Sequence, residues 1–366
     1  MLLCTLSTGD AVHRYDKRIV MRFEEPRKVL STSILNGGYR EDMKAVFNHD
    51  VNTGNNTECT LRAPTFEEHM RLDAQDLGFD PATVTGMGTA AQMENVAINI
   101  CKYENLMVTA IVTGGIEVNG GRVGDPTEHF LAVDKKILPK PGTINIMLVI
   151  DADLPPGVMA RALVTCTEAK TAAIQELMAG SNYSNGLATG SGTDQTIVIA
   201  NPSSELYFEG AGKHSKLGEL IGRAVKPAVK EALFRQTGLS PQMQHSVLRR
   251  MKRFGVNEDT LWQEYSAGND AHGSNDVKSQ FMERLSQLDR DQQLVTYTSL
   301  YVHLLDQFLW ELLSGEETEQ AGNELLALVA GKFGVPPTVI GGSKLEDYLQ
   351  AWAEMVVQIV TEKLEY

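Results

Sequence analysis

The stretch "GTINIMLVIDADL" at residues 142–154 is almost continuously apolar, and this pattern predicts a strand buried on both faces. Two prolines follow it and open a predicted helix over 155–177, because proline is well tolerated in the first turn of a helix. A glycine-containing loop then leads into a second strand at 195–200 and another helix at about 216–236. This alternation predicts an α+β fold, in which a mixed sheet packs with long helices.

Three segments before this core add further elements. Residues 17–33 predict two strands joined at a turn, and residues 94–115 predict a hairpin that turns near Glu104. Residues 64–79 have the apolar spacing of a helix, with Thr65 as its expected cap. The first part of the chain therefore combines strands and helices.

The last third of the chain changes character. Amphipathic stretches at 295–313 and 344–364 predict helices, and residues 265–279 form a polar link between two such stretches. Almost no strand pattern is present there. We therefore predict a mixed domain over residues 1–238, followed by an all-helical domain over residues 239–366.

Composition excludes several classes of protein. A net charge of −14 argues against a nucleic-acid partner, which needs a concentrated basic face. No apolar run approaches the roughly 20 residues that span a bilayer. The first residues have a short apolar stretch and no leading basic residues, so we do not expect them to act as a secretory signal. Four widely spaced cysteines, without a C-x-x-C pair, indicate a reducing compartment. We therefore expect a cytoplasmic protein without a membrane partner. Exposed apolar stripes on the later helices would permit a homo-oligomer.

The loop "ATGSGTDQTIVIA" at 188–200 is the first candidate site. It does not match the dinucleotide fingerprint, because Gln195 stands where the third glycine belongs. The peptide N–H groups of Gly190 to Gly192 could instead bind an oxyanion, or the loop could be only a tight turn. Asp194 could act chemically or could stabilise that turn.

Polar residues on the two long helices are the second set of candidates. Glu168 and Lys170 point to different sides of an alanine-rich helix, which could line a tight cleft or form a solvated surface. His214 stands at the start of the next helix, as a cap, a surface residue or a neutral base. Lys216 and Glu219 are three residues apart and can pair.

Three other residue types have side chains that could take part in chemistry: asparagine, cysteine and histidine. Asn36 in "NGG" could contact a ligand or could adopt a left-handed backbone in a hairpin turn. Cys166 lies in mid-helix among small neighbours, where cysteine is usually inert. The histidines lack the H-x-x-x-H spacing of a metal site, so no metal and no cofactor are expected.

Several segments together resemble the adenosylcobinamide amidohydrolase (CbiZ) family across about residues 17–235. The segments are "STSILNGG" (31–38), "VTGGIEVNGGRVGDP" (112–126), "GTINIMLVIDADL" (142–154), "TCTEAKTAAIQEL" (165–177), "ATGSGTDQTIVIA" (188–200) and "KHSKLGELIGRAV" (213–225). The helical part lies outside the resemblance, which implies nothing about its role.

The resemblance implies a hydrolase that cleaves the amide between aminopropanol and the corrin ring of adenosylcobinamide. The products would be adenosylcobyric acid and aminopropanol, in the salvage of corrinoids for coenzyme B12 synthesis. A non-catalytic corrinoid-binding protein and an amidase for another acyl substrate are the alternatives. A helical interaction module anchored by the enzyme is a third.

Amide hydrolysis needs an activated nucleophile, donors for the oxyanion and a proton for the departing amine. The matched segments contain candidates for each role. The candidates for the base are Glu168, Asp194 and His214. The candidate oxyanion donors are Lys170, Lys216 and the N–H groups of Gly190, Ser191 and Gly192. The nucleophile is Ser191, Thr193 or an activated water, and Asn36 and Glu219 are the candidate substrate contacts.

Overall fold

A computed structural model of the chain describes residues 1–52, 61–127, 142–268 and 275–362. The chain divides into two compact units. The first comprises Met1–Tyr183 and Leu187–Ser240, and the second comprises Ser184–Gly186 and the chain from Pro241 onward.

The first unit contains thirteen strands and three α-helices among its described residues. The strands are β1 (Leu2–Thr5), β2 (Ala11–Tyr15), β3 (Arg18–Arg22), β4 (Lys28–Ser31), β5 (Gly38–Arg40), β6 (Ala45–Asp50), β7 (Val84–Thr89), β8 (Ala97–Tyr103), β9 (Leu106–Gly114), β10 (Gly120–Gly121), β11 (Ile144–Ile150), β12 (Gly190–Ser191) and β13 (Gln195–Ala200). The helices are α1 (Phe66–Asp76), α2 (Pro156–Glu176) and α3 (Lys216–Thr237).

The strands form two large sheets and one small one. The first sheet has the order β1-β2-β3-β6-β7, and only its β6–β7 pair is parallel. The second has the order β5-β4-β13-β11-β9-β8, with a parallel β11–β13 pair and antiparallel neighbours elsewhere. β10 and β12 form a separate antiparallel pair.

The apolar core of this unit lies between the two large sheets. Met21 and Val46 of the first sheet belong to the same buried cluster as Met147 and Ile197 of the second. α1 packs on the other side of the first sheet, where Phe47 joins the residues buried under that helix. α3 packs against β8, β9 and α2. The prediction of mixed sheets with long helices is confirmed.

The predicted local signals explain where the helices begin. Thr65 caps α1 by accepting the N–H of Glu68, as the sequence predicted. Pro155 stands at the cap position of α2, and Ser215 caps α3 by accepting the N–H of Gly218. The expected apolar stripe of α3 is buried: Leu217, Leu220, Ile221, Ala224 and Ala228.

The second unit is helical, as the amphipathic pattern predicted. Its helices are α4 (Pro241–Gln244), α5 (Val247–Met251), α6 (Glu258–Gly268), α7 (Asn275–Leu288), α8 (Gln292–Leu309), α9 (Gly315–Phe333) and α10 (Leu345–Glu362). α6 and α7 each run into the predicted polar link, which is therefore shorter than residues 265–279.

The core of the second unit is built around large buried side chains, including Phe281, Tyr301 and Trp352. Arg253 and Asp306 form a buried bidentate ion pair, with N–O distances of 2.6 and 2.7 Å. Arg253 also donates to the carbonyl of Asn185 in the same unit. None of the helices that the structure describes is long and apolar enough to cross a bilayer.

Candidate functional site

Lys170 of α2 and Asp194 of the glycine loop form an ion pair at the amino end of β13. Each side chain retains 12% of its exposure, so the pair is shielded but not sealed from solvent. The Ser191 hydroxyl donates to Asp194 Oδ1 at 2.6 Å, and the Ser191 peptide N–H donates to Oδ2 at 3.1 Å. The loop and the helix therefore bring a cation, a carboxylate and a hydroxyl into direct contact.

The strand end beside this loop holds it in place. The peptide N–H of Ile144 donates to Asp194 Oδ1 at 2.9 Å, and the Thr143 hydroxyl donates to the Thr193 carbonyl at 2.7 Å. The Thr171 hydroxyl of α2 donates to the carbonyl of Thr189 at 3.2 Å. Asp194 thus performs the turn-stabilising role that the sequence allowed, and it also binds Lys170.

Gly190 has a steric reason to lack a side chain. A β-carbon there would collide with Asp194 Oδ2 and would lie 2.7 Å from Lys170 Nζ. At Gly192, no atom of the described residues lies within 4 Å of the same position. Gly190 therefore lets the ion pair lie directly on the backbone of β12.

The expected nest of peptide N–H groups is partly occupied by the loop itself. The N–H of Ser191 is bound to Asp194, and that of Thr193 donates to the Ser191 hydroxyl at 3.2 Å. The Thr193 hydroxyl donates to the carbonyl of Gly142 at 3.2 Å. An incoming oxyanion would have to compete with these internal contacts.

Glu168 and His214 lie outside this cluster. Glu168 pairs with Lys213 at 3.1 Å, and both side chains are exposed. As the helical geometry predicted, Glu168 does not contact Lys170. His214 is exposed and precedes Ser215, the residue that caps α3. Their catalytic roles remain predictions, and the structure gives both a solvent-facing position.

Lys216 and Glu219 form the predicted pair on the first turn of α3, at 2.5 Å. Arg223 lies 3.4 Å from the same carboxylate, and Lys216 Nζ also lies 4.5 Å from the centre of the Tyr103 ring. The hydrogen bond from Lys216 is the main cause that lowers the pKa of Glu219. The pair is therefore charged and already partnered at neutral pH.

Asn36 adopts a left-handed backbone, with φ of +50°, between β4 and β5. Its side-chain NH₂ donates to the carbonyls of Pro81 and Val84 at 2.6 and 2.7 Å. These bonds give the residue a structural role, and its contact with a substrate stays a prediction. Burial raises the pKa of the Cys166 thiol to about 12, so this cysteine is not activated as a nucleophile.

A second polar cluster, which the sequence reasoning missed, lies between β6 and α1. Its centre is the Asp73 carboxylate, which has no exposed surface. Oδ1 accepts from Arg18 at 3.0 Å and from Arg62 at 3.2 Å, whereas Oδ2 contacts His49 Nδ1 and lies 3.3 Å from His69 Nε2. Burial is the largest single influence on Asp73 and opposes its charge, but the hydrogen bonds and charges of His49, His69 and Arg18 together outweigh burial, so the pKa of Asp73 is lowered.

The protonation of His69 follows from its hydrogen-bond partner and from its burial. The peptide N–H of Arg62 donates to His69 Nδ1 at 3.1 Å, so that nitrogen must be unprotonated. The proton of neutral His69 is therefore on Nε2, facing Asp73. Burial lowers the pKa of His69 and keeps the ring neutral.

The potential ligand atoms of His49, His69 and Asp73 lie within 4.8 Å of one another. Two histidines and a carboxylate are a common set of transition-metal ligands. However, a metal would need the Nε2 lone pair of His69, which carries the proton. Arg18 and Arg62 also occupy the other carboxylate oxygen. The geometry fits a buried hydrogen-bonded ion network better than a metal site.

One sequence signal could have revealed this cluster. His69 and Asp73 are four residues apart in a segment that predicts a helix, so they share one face of it. His49 lies on a separate strand and pairs in register with Arg18. Arg18 and His49 come together beside Asp73 because β3 pairs with β6, and the sequence does not show that pairing.

Residues 3–241 match the model of the family described as adenosylcobinamide amidohydrolase (CbiZ). An uncharacterised protein of Methanocaldococcus jannaschii is 34% identical over 238 residues, which are 62% of this chain and 89% of that protein. An adenosylcobinamide amidohydrolase of Methanosarcina mazei is 31% identical over 207 residues, 54% of this chain and 86% of its own length.

A crystal structure of a Pyrococcus horikoshii protein aligns with 66% of this chain and 86% of its own, at 14% identity. The TM-score is 0.27, too low to carry an argument about fold or function.

Proposed function

Because this chain belongs to the adenosylcobinamide amidohydrolase (CbiZ) family, a family of hydrolases that act on a C–N amide bond, we propose that it cleaves adenosylcobinamide itself. The products are adenosylcobyric acid and aminopropanol, and the reaction serves corrinoid salvage for coenzyme B12 synthesis. Residues 1–238 form the catalytic domain, and residues 239–366 form an extension whose role we do not assign. The proposed setting is the cytoplasm, the proposed ligand is a corrinoid, and the proposed assembly is a homo-oligomer.

The observation that carries this proposal is the Lys170–Asp194–Ser191 cluster within the region that matches the family. In hydrolysis, the oxygen of water or of a hydroxyl bonds to the carbonyl carbon, and negative charge develops on the carbonyl oxygen. The C–N bond then breaks, and the departing nitrogen takes the proton that the attacking oxygen gave up; where a side-chain hydroxyl attacks, water then cleaves the ester that it formed and releases the acid. A shielded ammonium group is suited to the first charge, since electrostatic stabilisation is strong where water is excluded.

Asp194 forms an ion pair that fixes the position of the Lys170 ammonium group, and it accepts a hydrogen bond from the Ser191 hydroxyl. This arrangement favours Asp194 as the base or as the group that orients the nucleophile. Thr193, Gly190 and Gly192 shape the loop in front of the cluster. Lys216, Glu219 and Asn36 are assigned to the approach of the substrate amides.

The test is turnover of adenosylcobinamide by the purified full chain, with adenosylcobyric acid followed by chromatography and mass. Asp194→Asn is compared with Glu168→Gln and His214→Gln, which change exposed candidates for the same role. We expect Asp194→Asn to lower kcat by about 100-fold or more, in the range of lost acid–base or electrostatic groups. Near-full turnover by all three folded variants would reject these assignments.

A parallel assay with a chelator decides whether a metal takes part. Activity that survives chelation supports catalysis by the side chains of the cluster. A well-folded wild-type protein that binds adenosylcobinamide and releases no aminopropanol would support the non-catalytic corrinoid-binding alternative. Hydrolysis of simple amides, without hydrolysis of adenosylcobinamide, would support an amidase for another substrate.

A further inference from the structure

A row of polar side chains crosses the second sheet at the end that carries Asp194. Asn145 of β11 is in register with Thr113 of β9 and with Gln195 of β13. Residues in register on neighbouring strands project from the same face of a sheet. Asn145 contacts Asn48 of the first sheet, so the row faces the space between the two sheets.

The orientation of the Asn145 amide is determined by its neighbours. Its NH₂ group donates to Asn48 Oδ1 at 2.8 Å and to the carbonyl of Gly88 at 3.1 Å. Both partners are acceptors, so the other terminal atom of Asn145 is its oxygen. Asn145 is 1% exposed, and its Oδ1 is buried without a hydrogen-bond partner among the residues that the structure describes.

Gln195 carries a second buried oxygen, Oε1, for which the described part of the chain likewise offers no hydrogen-bond partner. Buried polar atoms are nearly always hydrogen-bonded, and an unsatisfied one costs about 1–3 kcal/mol. Two such oxygens on in-register residues of neighbouring strands indicate a binding site for a ligand that donates hydrogen bonds. Gln195 is only partly buried, so the row reaches solvent at its β13 end.

The row adjoins the cluster in which we place the chemistry. Gln195 directly follows Asp194 in the chain. Asn145 directly follows Ile144, whose peptide N–H donates to Asp194 Oδ1 at 2.9 Å. The two residues that carry these oxygens thus each follow, in the chain, one end of the hydrogen bond that holds the proposed catalytic carboxylate.

Resting on the proposed function, we propose that Asn145 Oδ1 and Gln195 Oε1 receive the nitrogen side of the scissile amide and the amine released from it. An amide oxygen accepts hydrogen bonds and cannot donate, so Asn145 Oδ1, whose orientation the partners of its NH₂ group determine, selects ligands that carry N–H groups, and Gln195 Oε1 adds a second acceptor beside it. The two oxygens would repel the carboxylate that forms on the other side of the broken bond. The row thereby orients the substrate, with the nitrogen side of the amide towards Asn145 and Gln195 and the acyl side away from them.

The strength of this contact should change along the reaction. A secondary amide offers one N–H group, whereas a protonated primary amine offers three. The acceptors therefore bind the departing nitrogen more strongly than the bound substrate, and such a difference accelerates the bond-breaking step. Loss of an acceptor should lower kcat as well as raise KM.

Gln195→Met is the direct test, because it keeps the length of the side chain and removes the acceptor. We expect kcat/KM for adenosylcobinamide to fall about 10- to 100-fold, from the cost of an unpaired donor. The melting temperature should stay constant or rise, since an unsatisfied atom leaves the protein. Gln195→Glu, which keeps an acceptor, should recover part of the activity. Gln175→Met, on the exposed face of α2, is the matched control.

Asn145→Ala is compared with Asn48→Ala, which breaks the same Asn145–Asn48 hydrogen bond but leaves Asn145 Oδ1 in place. Both variants should lose stability, and only Asn145→Ala should lose the acceptor. We expect its kcat/KM to be at least tenfold below that of Asn48→Ala. Equal activities in the two variants would overturn the assignment of Asn145.

Aminopropanol alone serves as a probe that does not depend on turnover. Its binding, followed by ligand-observed NMR, should weaken in Gln195→Met and stay unchanged in Gln175→Met. Wild-type turnover decides the proposed reaction, whereas the comparison of variants decides this inference. A fall in the melting temperature of Gln195→Met with full activity and unchanged aminopropanol binding would show that a structural water pairs with the oxygen, and would overturn the proposal. Unchanged stability, turnover and binding would overturn it too.

Discussion

Asp194 and Asp73 belong to the same unit, and each lies at the centre of an ion cluster, yet their surroundings differ. Asp194 keeps 12% of its side-chain exposure and binds one lysine, one hydroxyl and peptide N–H groups. Asp73 has no exposed surface and is surrounded by two arginines and two histidines. The first carboxylate holds a cation next to solvent, whereas the second ties α1 to β3 and β6.

This difference separates a site where chemistry can occur from one that supports the fold. A shielded but accessible pair can meet a substrate, and its ammonium group can respond to new charge. A fully buried carboxylate with every oxygen engaged depends on its partners to offset its desolvation. Substitutions in the first cluster should therefore act mainly on turnover, and substitutions in the second should act mainly on stability.

The largest expected effect is that of Asp73→Asn. The substitution removes the buried carboxylate and leaves the buried Arg18 with the exposed carboxylates of Asp16 and Asp76, so the free energy of unfolding should fall by about 3–5 kcal/mol. Denaturant unfolding, with hydrogen exchange over β6 and α1, measures it. Asp76→Asn is the matched control, because Asp76 contacts the same two arginines from an exposed position, and we expect about 1 kcal/mol or less. Equal losses in the two variants would contradict the comparison.

The next effect is that of Gly190→Ala. The new methyl group collides with the Lys170–Asp194 pair, and this overpacking should cost about 1–3 kcal/mol of stability. Turnover should fall in parallel, because the ammonium group is displaced. Gly192→Ala adds the same methyl group two residues away, where no neighbour lies within 4 Å. Turnover assays and melting curves of both variants measure the difference. A Gly190→Ala enzyme as active as Gly192→Ala would separate the pair from catalysis.

A smaller effect should appear on acidification. His69 has a lowered pKa in the folded chain, so the unfolded chain binds a proton first as the pH falls below the usual histidine value of about 6.5. Stability should therefore decrease from neutral pH into the acid range, by at most about 1.4 kcal/mol per pH unit from this group. His69→Gln should flatten the melting temperature between about pH 7 and pH 5.

The control for His69 is His13→Gln on β2, which changes an exposed histidine. It should leave the pH dependence of the melting temperature as in the wild type. A pH profile that is the same in His69→Gln and in the wild type would place the acid sensitivity elsewhere.

The smallest effect should come from Lys216→Met on the exposed first turn of α3. Its pairing with Glu219 three residues on contributes about 0.2–0.5 kcal/mol to the free energy of unfolding. The Tyr103 ring adds a similar small amount. Thermal unfolding should show a shift of about a degree or two. A loss of unfolding free energy as large as that of Asp73→Asn would contradict the small contribution expected of this exposed pair.

Much of the fold could be predicted because its signals are local. The apolar run before Ile150, the two prolines after it and the cap at Thr65 each act over a few residues, and the observed elements agree. β6 and β7 were not predicted. Met87 and Gly88 are surrounded by small and polar residues, and this pattern has no clear period of two.

The candidate site could be predicted only in part for the same reason. Lys170 and Asp194 were both identified from their segments, and their pairing required the packing of α2 beside the loop that precedes β13. The roles of Glu168 and His214 stay predictions, because nothing in the sequence showed that both would face solvent. Residues far apart in the chain contact one another only after the sheets and helices pack.

The amino-acid sequence alone determined the alternation of strands and helices over residues 142–236, the change to a helical second part and the resemblance to the amidohydrolase family. These depend on short-range periodicity, on turn and cap residues, and on motifs that are contiguous in the chain. The tertiary structure decided which polar residues meet: Lys170 with Asp194, His49 with Asp73, and Asn145 with Asn48. Strand pairing and sheet packing create these contacts, and no local pattern encodes the distance between segments that pair only in the folded chain.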